Sequence, residues 1–285
     1  MSAPVRIAPG LHFVATPIGS ARDITLRALD VLAGADVIAA EDTRTARKLM
    51  EIHGIAVGQR VMIPYHDHNG AEARPRILAA LEEGKSVAYV SEAGTPLVAD
   101  PGYQLGRAAI EADHRVFSAP GASAVLAALT VSGLATDRFL FAGFPPSQAG
   151  RRKTWLRDLD AAAATIVLYE SPKRVHRLLD ELCEILGSDR EVALCRELTK
   201  RFEEVLRGPC GTVRDAISDR VLKGEIVLLI SRATATAPDA DDVEAALRAA
   251  MADMPLKAAS TQVADAMGLP KRDVYQMGLR LKNDG

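Results

Sequence analysis

Three short segments combine glycine, proline and hydroxyl residues in a way that suits ligand binding. Pro17-Ile18-Gly19-Ser20 directly follows an apolar run. Gly19 lets backbone approach a ligand closely, although a plain structural turn fits the same four residues. Ser91–Gly102 is more informative. Gly94, Pro96, Pro101 and Gly102 stiffen a loop that carries two acids, Glu92 and Asp100, and two hydroxyls, Ser91 and Thr95. Such a loop offers backbone donors and acceptors in place of a bulky wall. A carboxylate there suits hydrogen bonds from a ribose. Pro120-Gly121-Ala122-Ser123-Ala124 opens a helix with small side chains, against which a flat organic ligand fits. The spacing matches neither the Gly-x-Gly-x-x-Gly fingerprint nor the Walker phosphate loop, so an ordinary NAD or ATP site has no support.

Basic residues gather in groups: Arg44, Arg47 and Lys48; Arg151, Arg152, Lys153 and Arg157; Lys173, Arg174, His176 and Arg177; Lys200 and Arg201. Segregated clusters bind a phosphate backbone locally, or simply keep a surface solvated. The stretch Gly150–Lys153 follows a Pro-Pro break and is expected as an exposed, mobile loop. Tyr65-His66-Asp67-His68-Asn69 has a His-x-His spacing that could ligate a metal. No further histidine or cysteine lies nearby at metal-site spacing, so a polar structural loop or a substrate-facing loop is preferred and no metal is expected. Gly-x-Ser-x-Gly, His-Glu-x-x-His and the phosphate-loop lysine are all missing, so those hydrolase and kinase chemistries have no basis.

These residues need elements to hold them. Short apolar runs at Leu11–Thr16, Asp36–Glu41, Val61–Pro64, Ser86–Val90 and Arg115–Ala119 read as buried strands. Helical patterns lie between them, which predicts a mainly parallel sheet covered by helices. Further strands are expected at Phe139–Phe144, Thr165–Glu170, Glu191–Glu197, Phe202–Arg207 and Glu225–Ser231, in a mixed sheet, with a helix over Arg174–Leu186. Residues 233–240 read as a small-residue linker. Three helices follow, at Asp241–Met251, Leu256–Met267 and Lys271–Leu281. The expected division is 1–120, an N-terminal α/β domain; 121–232, a second α/β domain; and 241–285, a small helical domain.

At 285 residues with 48% hydrophobic and 25% charged positions, the chain is expected to be globular with about two domains. A formal net charge of -2 argues against a strongly basic coat for nucleic acid, and 4% aromatics leave room for only a small stacking platform. The 3 cysteines, Cys183, Cys195 and Cys210, are expected as free thiols of a reducing compartment. No signal peptide or membrane span is expected.

Five passages carry a resemblance: Val14-Ala-Thr-Pro-Ile-Gly-Ser20, Glu41-Asp-Thr-Arg44, Ser91–Gly102, Tyr169-Glu-Ser-Pro-Lys-Arg174 and Arg196-Glu-Leu-Thr-Lys200. Together they resemble the RsmI family, bacterial enzymes that methylate a ribose 2′-hydroxyl of small-subunit ribosomal RNA. That family lies within the tetrapyrrole methylase-like superfamily of S-adenosylmethionine enzymes. The likeness extends through the tail, including Leu256-Lys-Ala258 and Lys271–Gly278. The glycine motifs are shared across the superfamily, whereas the combination of the Glu41–Arg44, Tyr169–Arg174 and Arg196–Lys200 passages is much more specific to the RNA branch. The superfamily's first loop often has a Gly-Pro-Gly core, where this chain has Thr16-Pro17-Ile18-Gly19. Family members frequently have Asn at the place of Ser20 and Asp at the place of Glu92.

The resemblance implies an α/β fold: two α/β domains of the tetrapyrrole methylase type (class III methyltransferase) with a small C-terminal helical domain. S-adenosyl-L-methionine would sit in the cleft between the two α/β domains. It would contact Pro17, Ile18 and Gly19, then Glu92, Ala93, Gly94, Thr95 and Pro96. Pro120, Ser123 and Tyr169 would complete the donor site. Arg44, His68, Arg174, Lys200 and the group Arg151, Arg152 and Lys153 would face the RNA. The implied target is a cytidine at the decoding centre, in an assembled small subunit, acted on by a cytoplasmic homodimer. Glu41, Asp42, His66, His68 and Glu197 are all open as a general base, and none is singled out. A small-molecule methyltransferase of the tetrapyrrole type and a non-catalytic ribosome- or RNA-binding protein are the alternatives.

Overall fold

The computed structural model describes residues 6–66, 68–99, 101–233 and 240–283. The chain forms two compact units, Met1–Arg232 and Ala233–Gly285. The first unit contains two five-stranded sheets.

Strands β1 (Gly10–Val14), β2 (Val37–Ala40), β3 (Val61–Pro64), β4 (Ser86–Val90) and β5 (Val116–Ala119) form an all-parallel sheet in the order β3-β2-β4-β1-β5. β1, β2 and β4 are buried along their whole length, as a parallel sheet covered on both faces requires. Their side chains alternate between two cores. Phe13, Ala39 and Tyr89 join one cluster, and their neighbours Val14, Ile38 and Ala88 join the other. Helix α1 (Leu26–Gly34) starts at Thr25, whose side chain accepts from the Ala28 N–H. Helix α2 (Thr43–Ile52) starts at Asp42, which accepts from the Arg44 N–H at 2.7 Å. α3 (Gly70–Glu82) and α4 (Tyr103–Glu111) complete this half.

After α5 (Ala124–Ser132), strands β6 (Phe139–Gly143), β7 (Thr165–Glu170), β8 (Glu191–Arg196), β9 (Glu204–Pro209) and β10 (Ile226–Ile230) form the second sheet in the order β6-β7-β10-β8-β9. Only β6 and β7 pair in parallel, so the sheet is mixed, as its sequence predicts. The helix expected at Arg174–Leu186 is α7 (Val175–Leu186), and α8 (Cys210–Ile217) packs beside it. The strand expected to begin at Phe202 begins at Glu204. Left-handed backbone at Glu197 (φ 51°) and Thr199 (φ 62°) makes a tight turn first and leaves Phe202 exposed.

The exposed loop expected at Gly150–Lys153 is instead helix α6 (Ala149–Asp160). Arg152, Trp155, Leu156 and Leu159 recur at helical spacing, and the last three join the core of the second sheet. Arg152 itself is buried. Its Nε and Nη2 donate to the two Glu181 carboxylate oxygens at 2.5 and 2.7 Å, and its Nη1 donates to the Pro146 and Ser147 carbonyls. The charges surrounding Arg152 in sequence hide this inward face. Lys153 pairs with Glu184, and Arg151 is the exposed member of the trio.

All three cysteines are free. Burial pushes the Cys195 thiol up to about 12 and also raises that of Cys210.

The second unit holds α9 (Ala240–Asp253), α10 (Leu256–Met267) and α11 (Lys271–Asn283). The linker expected at 233–240 falls mainly on residues outside those described. Leu247, Val243, Ala259, Val263 and Val274 form the unit's small core. Leu247 is fully buried there, so Leu247→Ala should lower this unit's stability by about 2–5 kcal/mol. Hydrogen exchange of the full chain checks it: protection should fall in α9–α11 and hold in β1–β10. No described helix is long and apolar enough to cross a membrane.

Candidate active site

A cavity of about 610 Å³ opens within the first unit, a size suited to an organic ligand. It is lined by loops that leave the carboxyl ends of β1, β2, β4 and β7, where open α/β sheets place their ligands.

The β1 and β4 loops are tied into one frame. Thr16 and Gly94 exchange two backbone hydrogen bonds, at 2.9 and 3.0 Å. The Thr95 hydroxyl donates to the Ala122 carbonyl at 2.9 Å, which adds the segment before α5. Ile18 carries the frame across to the second sheet, since it packs in a cluster with Val227, Cys195 and Leu198. Gly94 adopts φ +78°, the left-handed region, so an L side chain there is strained. A Cβ on Gly19 would lie 2.5 Å from the Lys200 side chain and 2.6 Å from Thr199 Oγ1. The absence of a side chain at Gly19 therefore allows the β1 loop to touch the β8–β9 turn, where the Ser20 N–H donates to Thr199 Oγ1.

Of the residues expected to hold the donor, Pro17, Ile18 and Gly19 line the cavity, as do Glu92, Ala93, Gly94 and Thr95. Ser123 and Tyr169 line its other side. Pro96 is buried behind the loop, and the Pro120 carbonyl accepts from Thr25, so neither contributes to the lining. Tyr169 stands edge-on to Phe141 and Phe144, with ring centroids 4.8 and 5.6 Å away. Asp100, part of the same expected loop, lies outside the described residues.

Lys200 lines the cavity and donates to Glu197 at 2.8 Å and to Glu225 at 2.9 Å. Arg44 sits beside the lining residue Thr45, with its side chain 90% exposed and paired to Asp42. That pair holds the Asp42 carboxyl down at about 2, and Asp42 also caps α2. Arg174 is half-buried, donates to the Pro145 carbonyl and faces Glu170 at 3.2 Å. His68 is exposed and stands against His66, with both outside the lining. Asp67, between them, is not described. Arg151 and Lys153 on α6 also lie outside the lining, and Arg152 is committed to Glu181.

Glu170, the end of an expected strand, is not among the site residues expected from the sequence. It is the last residue of β7, 3% exposed, and lines the cavity. Its Oε1 accepts from the Ser171 N–H at 2.7 Å, while its buried Oε2 has no hydrogen-bond partner. Burial pushes its carboxyl above the ordinary range, against the pull of that N–H and of Arg174. The one available signal was an acid closing an apolar strand. Glu41, considered only as a base, is a lining residue whose Oε2 accepts from the Glu92 N–H at 3.1 Å.

Residues 10–214 match the family profile of Tetrapyrrole (Corrin/Porphyrin) Methylases, and residues 237–282 match that of the RsmI C-terminal HTH domain. The chain is 47% identical over 277 residues to ribosomal RNA small subunit methyltransferase I of Mesorhizobium japonicum, covering 96% of this chain and 93% of that one. It is 41% identical over 279 residues to the protein of the same name from Synechocystis sp., covering 96% and 99%. Its fold is similar to that of uroporphyrin-III C-methyl transferase from Thermus thermophilus complexed with S-adenyl homocysteine. That match has a TM-score of 0.54 at 19% identity and covers 77% of this chain and 96% of the other.

Proposed function

The chain belongs to the ribosomal RNA small subunit methyltransferase I family, within the tetrapyrrole methylase superfamily, and from that membership we infer its reaction. It is an S-adenosylmethionine-dependent methyltransferase that methylates a cytidine ribose 2′-oxygen in small-subunit ribosomal RNA. The observation that carries this is 47% and 41% identity over nearly the whole chain to the two relatives above, joined to a cavity at the strand ends, most of whose lining residues fall within the family profile.

S-adenosylmethionine supplies a methyl group made electrophilic by its sulfonium. The protein's share is alignment of the acceptor oxygen, and exclusion of water from the reacting atoms. The Thr16–Gly94 frame, Thr95, Ser123 and Tyr169 hold the donor in this proposal. Lys200, Arg44 and Arg174 face the acceptor strand. A ribose hydroxyl is a poor nucleophile, and removal of its proton during attack helps. Residues 1–120 and 121–232 act as two domains that share the cleft. A cytoplasmic homodimer working on an assembled small subunit completes the proposal, and sedimentation at micromolar concentration should report twice the chain mass.

Incubation with labelled S-adenosylmethionine and unmethylated small subunits, followed by mapping of the label, tests the reaction. Label on a ribose 2′-oxygen of the small-subunit RNA is expected, and label elsewhere overturns the assignment. For the RNA face, Arg44 and Arg151 are the exposed cations to remove. Taking one cation away from an RNA phosphate should flatten the slope of log affinity against log salt by roughly 0.7. Arg44→Ala with Arg151→Ala should therefore lower RNA affinity and flatten that slope by about 1.4, read by filter binding over a salt series.

A further inference from the structure

The charges around the cavity are unbalanced. Glu41, Glu92, Glu170 and Glu225 line it, and Lys200 is the single lysine or arginine among its described lining residues. Lys200 is already shared between Glu225 and Glu197. Arg44 is occupied by Asp42. Glu41 spends one oxygen on a neutral backbone N–H, from Glu92. Glu170 has Arg174 3.2 Å from its Oε1, yet its buried Oε2 accepts no hydrogen bond, an independent sign of a missing partner at that oxygen. Burial disfavours the ionised form of this carboxyl. A cationic ligand would supply what that form lacks.

Methyl transfer changes the charge of the ligand. The acceptor oxygen bonds to the methyl carbon as the carbon–sulfur bond breaks. The electron pair stays on sulfur, and the hydroxyl proton leaves to solvent. A sulfonium donor of net charge +1 thus becomes a neutral thioether. We propose that the carboxylate wall reads this difference, with Glu41 and Glu170 setting a preference for the charged donor over its own product. The proposal rests on the cavity being the donor site. Its consequence is product release: the ligand loses its electrostatic hold at the moment the methyl leaves.

Calorimetry on the full chain tests it with three ligands: S-adenosylmethionine, S-adenosylhomocysteine, and sinefungin, which keeps a positive amine near the sulfonium position. The parent should bind both cations at least about fivefold more tightly than the neutral thioether, the scale of one ion pair near a solvated wall. Glu41→Gln keeps an acceptor for the Glu92 N–H. It should weaken both cations about fivefold and leave the thioether within about twofold. Glu170→Gln should act the same way, and Glu41→Gln alone carries the test if that variant does not fold. Equal or tighter binding of the thioether by the parent overturns the proposal, as does an equal loss for all three ligands in Glu41→Gln. Binding of none of them by the folded parent would instead reject the cavity as the donor site, and the charge preference with it.

Discussion

Arg152→Ala should lower the unfolding free energy of the first unit by about 3–5 kcal/mol, the range for breaking a buried ion pair from one side. The side chains of Arg152 and Glu181 are 4% and 7% exposed, so solvent does little to screen their two-point contact. The variant leaves Glu181 with Arg177, an exposed residue 3.3 Å away. It also strips the Ser147 carbonyl of its donor and leaves the Pro146 carbonyl only the longer contact from Arg174 at 3.4 Å, which loosens the entry to α6. Urea unfolding measures the loss, and a cycle with Glu181→Ala separates the pair from the carbonyl contacts. The pH dependence has a definite sign. Arg152 holds the Glu181 carboxyl below its ordinary range, so the pair's contribution is complete above the unfolded-state value and disappears as pH falls through the lowered folded-state value. The gap between parent and variant should be widest near neutrality and narrow in acid. A loss below about 1 kcal/mol would mean that α6 opens readily and frees Arg152, restoring it as a candidate for the RNA face.

Arg152 also shows where sequence reading reached its limit. Charge is a poor guide to position when two charges cancel across a helix pair: Glu181 stands 29 positions away on α7, and nothing local marks the match. The strands were legible because burial on both faces of a parallel sheet demands short, continuous apolar runs. β3, β4 and β7 occupy the ranges their apolar residues predict, Val61–Pro64, Ser86–Val90 and Thr165–Glu170. The β1 and β4 loops were legible through their glycines and prolines, since backbone conformation there is restricted to few residue types. The far wall of the cavity was not. Gly224, Glu225, Ile226 and Val227 enter the lining because antiparallel pairing brings the start of β10 beside the end of β7, with Ile226 opposite Glu170. Such long-range pairing leaves no periodic trace in either segment.

Gly94→Leu should abolish measurable donor binding, with an affinity loss on the order of 100-fold or more, about 2.7 kcal/mol. Two effects act at this position, and they are separable. The first is backbone strain. At φ +78° any L side chain costs about 1–2 kcal/mol of stability, whatever its size. The second is volume. A Cβ would stand 3.3 Å from Ile18 Cγ2 and 3.8 Å from the Ala122 carbonyl, so the rest of a leucine must turn toward the cavity that Gly94 lines. Gly94→Ala carries the strain with little of the volume. Both variants should lose similar stability in urea unfolding, because both distort the same Thr16–Gly94 bridge. Only the leucine variant should lose the donor, while the alanine variant binds within about tenfold of the parent, the share attributable to a shifted loop. Calorimetry on variants shown by circular dichroism to be folded reads the difference. Parent-like donor affinity in a folded Gly94→Leu protein would move the donor out of this cavity. A parallel loss in both variants would assign the effect to the loop's backbone geometry in place of the space beside it.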